Sequence, residues 1–240
     1  MAKRKKKTNL WNICMLIIIC ALFISVYFED ELRKIILQSG IQQSYALENI
    51  PKYDGNAYIV LDENVPKFKE DDYKLDSFEY YSDLDYLGRA KEAYANIGID
   101  LMPTEERTSI GQIKPSGWKT TKYDIIPGKY LYNRCHLIGY QLTGENANEK
   151  NLITCTRYMN TTGMLEFENK VAEYVKETKN HVLYRVTPIY EGENLLANGV
   201  QMEAYSIEDN GKGIQFNVFV YNVQEGIEID YKDGSSALSK

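Results

Sequence analysis

Two histidines are the chain's candidates for acid–base chemistry at neutral pH. The sequence of 240 residues contains only His136 and His181, and histidine is the side chain whose ordinary pKa lies nearest to neutrality. His181 stands between a predicted helix and a predicted strand, a common place for an exposed histidine. His136 ends the stretch Asn133-Arg134-Cys135-His136, directly after a basic segment. A lone histidine is more often structural than catalytic, so the surroundings of His136 decide its role.

The basic segment before His136 is unusual because the chain as a whole is acidic. The net charge is −6, whereas contacts with phosphates call for Lys and Arg. Between Arg107 and Cys135, however, the cations outnumber a single acid, Asp124, and aromatic residues are interleaved with them. The cations are Arg107, Lys114, Lys119, Lys122, Lys129 and Arg134, and the aromatic residues are Trp118, Tyr123, Tyr130 and Tyr132. This pattern suits a phosphate backbone, although a solvated loop with ordinary lysines has the same composition.

The elements that would position these residues have both helix and strand patterns. Ser82 to Asn96 is predicted as a helix, because Ser82 can cap it and apolar residues recur at helical spacing. The stretch from Asn160 to Lys179 has the apolar stripe of a second helix. Residues 214–220 alternate as in a half-buried strand. Further strands are predicted at 56–62, 129–138, 151–156, 181–190 and 200–207. Together these elements indicate an α+β domain with a mainly antiparallel sheet.

Three segments, in this order along the chain, resemble a known family. NRCHLIGYQLTG is similar to the DRGH signature of the DNA/RNA non-specific endonucleases and the residues after it. NEKNLITCTRYMN resembles their second strand, and MLEFENKVAEYV their metal-binding helix. The likeness covers about residues 51–225 and is greatest to the streptodornases and membrane-bound DNA-entry nucleases. It implies a ββα-metal (His-Me finger) core on a mainly antiparallel sheet with flanking helices.

The resemblance implies a role for several single residues. His136 would be the general base, and Asn160 the one protein ligand of a Mg²⁺ ion, for which Mn²⁺ can substitute. Asn151 and Glu168 would hold waters bound to that ion, in keeping with the preference of Mg²⁺ for oxygen ligands and retained water. Eight residues of α-helix rotate by about 800°, so Asn160 and Glu168 would lie roughly 80° apart around the helix. Capping the helix is the alternative role for Asn160.

Nucleic acid is the partner that the resemblance implies. Arg134 matches the signature arginine, which serves the phosphate in the family. The other expected contacts with nucleic acid are Arg107, Lys114, Lys119, Lys122 and Arg157. The implied activity is Mg²⁺-dependent, non-specific endonucleolytic hydrolysis of DNA and RNA to products with 5′-phosphates. The alternative is an inactive surface module that binds DNA for capture or uptake.

The signature departs from the family at two positions. Asn133 stands where the family usually has Asp, which removes a negative charge near the base. Cys135 stands where the family usually has Gly, and Cys155 lies on the paired strand. Outside a membrane such a pair can oxidise, so we expect a Cys135–Cys155 disulfide. Two buried, reduced cysteines are the alternative.

The N-terminal region has the pattern of a membrane anchor. Residues 1–9 form a basic tail, and the apolar residues 10–28 would span about 28 Å as a helix, close to the thickness of a bilayer core. Because the basic residues lie in the tail before this segment and acids follow it, the excess of Lys and Arg on one side places the tail in the cytoplasm and the remainder outside the cell, by the positive-inside rule. We predict a stalk at 29–50 and an extracellular nuclease domain at 51–240. The alternative is a cleaved signal peptide, which would lead to secretion.

Overall fold

A six-stranded antiparallel sheet supports the fold. The computed structural model describes residues 47–239 of the chain. Its strands are β1 (Tyr58–Val60), β2 (Phe78–Tyr81), β3 (Ala93–Ile97), β6 (Val182–Ile189), β7 (Gly199–Ser206) and β8 (Gln215–Tyr221). β4 (Tyr132–His136) and β5 (Leu152–Thr156) lie in a separate sheet. They are ordered β1-β8-β7-β6-β3-β2, and every neighbouring pair is antiparallel. The predicted mainly antiparallel α+β architecture is confirmed, as are the strands expected near 56–62, 181–190 and 200–207.

One long helix, α2 (Leu165–Thr178), packs against this sheet. It continues a π-helical turn, Met159–Met164, so the helix predicted at 160–179 is confirmed. Phe167, Val171 and Val175 are buried in the core that the helix shares with the sheet. Gly163 allows the close approach, because a Cβ there would lie 2.3 Å from a methyl carbon of Val220. The helix is thereby fixed directly above the central strands.

The opposite face of the sheet is also covered, which differs from the half-buried pattern predicted for β8. Phe219, on the side expected to be exposed, has a relative exposure of 1%. The segment after β1 covers part of this face, because Asn217 Nδ2 donates to the Val65 carbonyl at 3.0 Å and to Asp62 Oδ2 at 3.4 Å. Asn217 is therefore polar and yet fully buried. Alternation of residue types gave the direction of each side chain but not the depth of burial.

The helix predicted at Ser82–Asn96 is wrong. This segment is the loop and second strand of a hairpin formed by β2 and β3. Asp85 shapes the loop by accepting hydrogen bonds from the backbone N–H groups of Leu87 (2.9 Å) and Arg89 (3.0 Å), and Gly88 has a φ of +72°. Asp side chains commonly make such bonds in turns. Every second residue of the strand, Ala93, Ala95 and Ile97, is then buried in the core. The segment therefore follows the two-residue repeat of a strand and not the helical spacing.

Two small sheets lie apart from the six-stranded one. β4 (Tyr132–His136) pairs only with β5 (Leu152–Thr156), and the link between them contains the short helix α1 (Tyr140–Thr143). The strands predicted at 129–138 and 151–156 are thus confirmed. β9 (Ile227–Asp230) and β10 (Ser235–Leu238) form a hairpin. The hairpin holds the basic segment in place, since the Tyr132 hydroxyl donates to the Gly234 carbonyl at 3.0 Å.

The predicted tail, membrane segment and most of the predicted stalk lie outside the described residues. Within residues 47–239, no helix has both the length and the apolar character needed to cross a bilayer. The predicted domain boundaries therefore stay predictions.

Candidate active site

A cavity of about 600 Å³ lies where β4, α1 and the start of the long helix meet the basic segment. Six of the predicted site residues line it: Arg107, Arg134, His136, Arg157, Asn160 and Glu168. The remaining lining residues are Ile110, Trp118, Thr120, Tyr130, Tyr132, Asn133, Gly139, Tyr140 and Leu165. The residues chosen from three separate sequence segments thus converge on one concave site.

His136 is held in one tautomer by its two neighbours. Its ring Nε2 lies 2.8 Å from the carbonyl oxygen of Asn146, and Nδ1 lies 3.3 Å from Nη2 of Arg107. A carbonyl can only accept and a guanidinium can only donate, so Nε2 carries the proton and Nδ1 presents its lone pair. Burial is the largest effect on the pKa of His136 and lowers it. The hydrogen bond to Asn146 raises this pKa, the Arg107 charge lowers it, and the result is a pKa of about 4. His136 is therefore neutral near pH 7, the form that a general base needs.

Asn160 lies inside the helical run and does not cap it. The cap is Thr156, whose hydroxyl oxygen accepts a hydrogen bond from the Met159 N–H at 3.0 Å. The Asn160 carbonyl accepts from the N–H of Leu165, five residues later, which defines the π turn. In the part of the chain that the structure describes, the Asn160 side chain has no hydrogen-bond partner. Its amide is therefore free to coordinate a ligand in the cavity.

The π turn brings Asn160 and Glu168 into line. A single π turn places one extra residue in the helical turn, so eight residues advance by roughly 700°, as seven would in a regular α-helix. The two side chains then lie roughly 20° apart around the helix instead of the roughly 80° expected for a regular α-helix. Their shared position in the cavity depends on this turn, for which the sequence has no recognised signal.

The Glu168 carboxylate lies against the backbone of Gly139. A Cβ at Gly139 would lie 2.7 Å from Glu168 Oε2, so only glycine leaves room for this carboxylate. Burial raises the pKa of Glu168 to about 7, and the nearby Arg107 charge opposes that rise. No hydrogen bond or ion pair engages the carboxylate among the described residues. A cation in the cavity would favour its charged form.

The donor groups in the cavity suit a hydrated cation. Among residues 47–239, no group of three or more His, Cys, Asp or Glu side chains could enclose a metal ion. Asn160 supplies an unpartnered amide oxygen and Glu168 an unpartnered carboxylate, and both are oxygen donors. Mg²⁺ is commonly bound by one or two protein oxygens while it keeps several waters. The residues present therefore fit such an ion.

Asn151 does not reach the cavity, in contrast to its expected role in the water shell of the metal. Its side chain is fully buried. Its Oδ1 accepts from the Ile138 N–H at 2.9 Å, and its Nδ2 donates to the Ile138 carbonyl at 3.0 Å. Asn151 therefore fixes the chain just after His136, and its role in the water shell of the metal stays a prediction.

Arg134 is largely occupied by its own protein. Its Nη2 donates to the Gly111 carbonyl at 2.8 Å, and its Nε donates to the Ile113 carbonyl. The guanidinium also lies 3.9 Å from the centre of the Trp118 ring. Arg134 thus ties the basic segment to β4 while still lining the cavity. Phosphate binding by Arg134 stays a prediction.

The remaining predicted cations fall into two groups. Arg107 and Arg157 line the cavity and have no ion pair among the described residues. Lys114, Lys119 and Lys122 do not line it. Lys119 instead pairs with Asp233 at 2.7 Å, and the Lys122 ammonium lies 4.4 Å from the centre of the Tyr130 ring. Contacts of these lysines with nucleic acid stay predictions for the surface around the cavity.

The structure joins Cys135 and Cys155 in a disulfide between the two strands of the site. Cys135 is paired with Ile153, and Cys155 is paired with Asn133, so the two cysteines lie on a diagonal of the same face. Their Cα atoms are 5.8 Å apart, within the range of natural disulfides. Both residues are fully buried. The crosslink lies next to His136 in sequence.

A family model for the DNA/RNA non-specific endonucleases matches residues 69–208. The chain belongs to this family. The matched region is a nuclease domain, and nucleases are hydrolases that act on phosphodiester bonds. The family thus predicted from three short segments is confirmed by a match that extends over more than half of the chain.

Relatives of this nuclease domain include streptococcal nucleases. A deoxyribonuclease of Streptococcus dysgalactiae subsp. equisimilis is 34% identical over 112 residues, which cover 44% of this chain and only 32% of that protein. NucA from Streptococcus agalactiae, solved with a magnesium ion, superposes with a TM-score of 0.70 at 24% identity, over 85% of this chain and 95% of that one. The Sda1 nuclease, solved with a zinc ion, gives a TM-score of 0.60 at 30% identity, over 77% and 97%. The likeness to NucA confirms the ββα-metal nuclease fold.

Proposed function

We propose that the protein is a Mg²⁺-dependent, non-specific endonuclease that hydrolyses DNA and RNA to products with 5′-phosphates, with His136 as its general base. The observation that carries the proposal is the content of one cavity: a neutral imidazole with an unprotonated Nδ1, next to an unpartnered amide and carboxylate. The bound ions in NucA and Sda1 support a metal requirement. Mn²⁺ is expected to substitute for Mg²⁺.

The base acts through Nδ1 of His136. A water hydrogen-bonded to Nδ1 gives up one proton to it while its oxygen forms a bond to phosphorus. The bond from phosphorus to the 3′-oxygen breaks, and that oxygen takes a proton from solvent. The imidazolium that forms donates from Nε2 to the Asn146 carbonyl, an acceptor that stabilises the added charge. Release of the Nδ1 proton to solvent restores the neutral base.

Asn160 and Glu168 would hold the metal, Asn160 directly and Glu168 through a bound water. When present, the ion stabilises negative charge on the phosphate and on the leaving oxygen. Arg107 and Arg157 add positive charge at the cavity wall, and Trp118 and Tyr130 add aromatic surface. Cations contact the phosphates and do not read the base sequence, and aromatic rings stack on any base, which supports a lack of sequence specificity.

Nicking of a supercoiled plasmid tests the proposal. His136→Ala should lower the rate by about a hundred- to ten-thousandfold, the usual contribution of a general base. His181→Ala is the matched control, because this histidine lies away from the cavity and pairs with Glu208 at 2.7 Å. Activity should disappear with EDTA and return with Mg²⁺. Wild-type activity in His136→Ala would refute the mechanism, and binding of DNA without metal-dependent cleavage by the wild type would instead support a capture module.

We also propose that the domain is displayed outside the cell by the predicted anchor at 10–28. The support is the apolar segment, its basic flank and the acids after it. Protease treatment of intact cells should remove the domain and leave the membrane-embedded segment. A domain that is degraded only after lysis would contradict this orientation, and a soluble domain in the culture medium would favour the cleaved signal peptide.

A further inference from the structure

Arg107 is hydrogen-bonded to Nδ1 of His136, the ring nitrogen that acts as the base in the proposed mechanism. Its Nη2 lies 3.3 Å from His136 Nδ1, so a guanidinium fills the place where the attacking water must bind. The other ring nitrogen offers no alternative, because Nε2 is committed to the Asn146 carbonyl at 2.8 Å. His136 is also only 6% exposed. In this arrangement neither ring nitrogen of His136 is free to bind water.

The backbone on either side of Arg107 is fixed, while its side chain is not. The Tyr140 hydroxyl donates to the Glu105 carbonyl at 2.8 Å, and Asn146 Nδ2 donates to the Thr108 carbonyl at 3.2 Å. Arg107 itself is exposed, and His136 is its only hydrogen-bond partner among the described residues. Its side chain can therefore leave the ring without disturbing the segment that carries it.

A phosphate is a better partner for Arg107 than the imidazole is. The contact with Nδ1 is long for a hydrogen bond, and its acceptor is neutral. A guanidinium binds phosphate oxygens through two shorter, charge-assisted bonds, and Arg107 has no carboxylate bonded to it that would compete. A nucleic-acid phosphate that enters the cavity should therefore draw the guanidinium away from the ring.

We propose that Arg107 is a positioning residue that covers Nδ1 of His136 in the free enzyme and moves to the phosphate when nucleic acid binds, so that the base meets water only in the complex. This inference rests on the proposed function. Arg107 thereby links substrate binding to activation of the base. Asn146 contacts both His136 and the segment of Arg107. Its backbone carbonyl orients the His136 ring, and its side-chain amide donates to the backbone next to Arg107.

Nitrogen-15 NMR of the full-length protein in detergent, labelled at histidine, tests the proposal. Because the chain contains only two histidines, His181→Gln assigns the spectrum. An unprotonated ring nitrogen that loses a hydrogen-bond donor resonates at higher frequency. Arg107→Ala should therefore move the Nδ1 resonance of free His136 to higher frequency. A short DNA duplex added in EDTA, where no cleavage occurs, should move the wild-type resonance in the same direction.

Two results would overturn the proposal: an Nδ1 resonance that is the same in wild type and Arg107→Ala, or a wild-type resonance that does not respond to DNA in EDTA. Arg107→Gln is a second variant in case the first does not fold. Lys212→Ala, which removes a charge at an exposed turn away from the cavity, should leave the spectrum unchanged. Full plasmid-nicking activity in His136→Ala would refute the proposed function itself. An unchanged resonance in Arg107→Ala would refute only the proposal that Arg107 covers Nδ1 of His136.

Discussion

Gly139 offers a way to move one functional group without disturbing the fold. Its φ of −57° and ψ of 143° suit any residue, so alanine is not excluded by the backbone. A Cβ at this position would, however, lie 2.7 Å from Oε2 and 2.8 Å from Cδ of Glu168. Since the neighbour is the end of a flexible side chain, the substitution should displace the carboxylate rather than the backbone.

The size of that displacement sets the expected loss of activity. Ordinary contact with a Cβ begins at 3.4 Å, so the carboxylate must retreat by about 0.7 Å, the difference between 3.4 and 2.7 Å. A misplacement of about 1 Å can cost about a hundredfold in rate. We therefore expect Gly139→Ala to lower kcat/KM for DNA by about ten- to a hundredfold. The free energy of unfolding should stay the same or rise by up to about 1 kcal/mol, because alanine restricts the unfolded chain.

A double-mutant cycle shows whether the effect passes through Glu168. Initial rates of DNA hydrolysis are measured for wild type, Gly139→Ala, Glu168→Ala and the double variant, and urea denaturation is measured on the same samples. In the Glu168→Ala background the alanine at 139 should have no further effect. An equal loss of rate in both backgrounds, or undiminished activity in Gly139→Ala, would refute the role assigned to the carboxylate's position.

Three further predictions concern the base and the residues that hold it. The acid limb of the kcat/KM profile, measured at saturating Mg²⁺ so that Glu168 is ionised, should lie near pH 4, because His136 must be neutral and its pKa is lowered to about 4. Arg107→Ala should move the limb to higher pH, and an unmoved limb would contradict the electrostatic effect of the guanidinium. Asn151→Ala should lower the free energy of unfolding by about 2–4 kcal/mol, because two buried backbone groups lose their partners; urea denaturation that matches wild type would disprove this structural role. Alkylation of the denatured, unreduced full chain should modify two of its four cysteines; modification of Cys135 and Cys155 by mass spectrometry would exclude the disulfide in solution.

The sequence was most informative where chemistry and element order coincide. His136, Asn160 and Glu168 follow one another through a strand, a second strand and a helix, and each segment has its own pattern. The long helix was predictable because its apolar stripe recurs over many turns. The strand that carries His136 was predicted at 129–138, directly after the irregular part of the basic segment, and lies at Tyr132–His136. These features depend on local sequence, which is available without coordinates.

The errors arose where distant parts of the chain decide the outcome. Ser82–Asn96 has helical spacing, but pairing of β3 with two neighbouring strands stabilised the extended form. The partner of the Asn151 side chain is the Ile138 backbone, at the other end of the link between the strands, which the residue type does not indicate. The contact between Arg107 and His136 joins segments 29 residues apart. Sequence patterns within one segment contain no information about such partners.

The separation of β4 and β5 from the main sheet has a consequence for how the protein can change. Every candidate catalytic or metal-binding side chain falls within the continuous stretch Tyr132–Glu168, and the six-stranded sheet contributes no residue to the cavity lining. Substitutions in the sheet therefore alter how firmly the protein stays folded, with little direct effect on its chemistry. Thermal stability and rate can then be adjusted in different parts of the molecule, which makes the sheet the place to engineer robustness and the stretch Tyr132–Glu168 the place to engineer turnover.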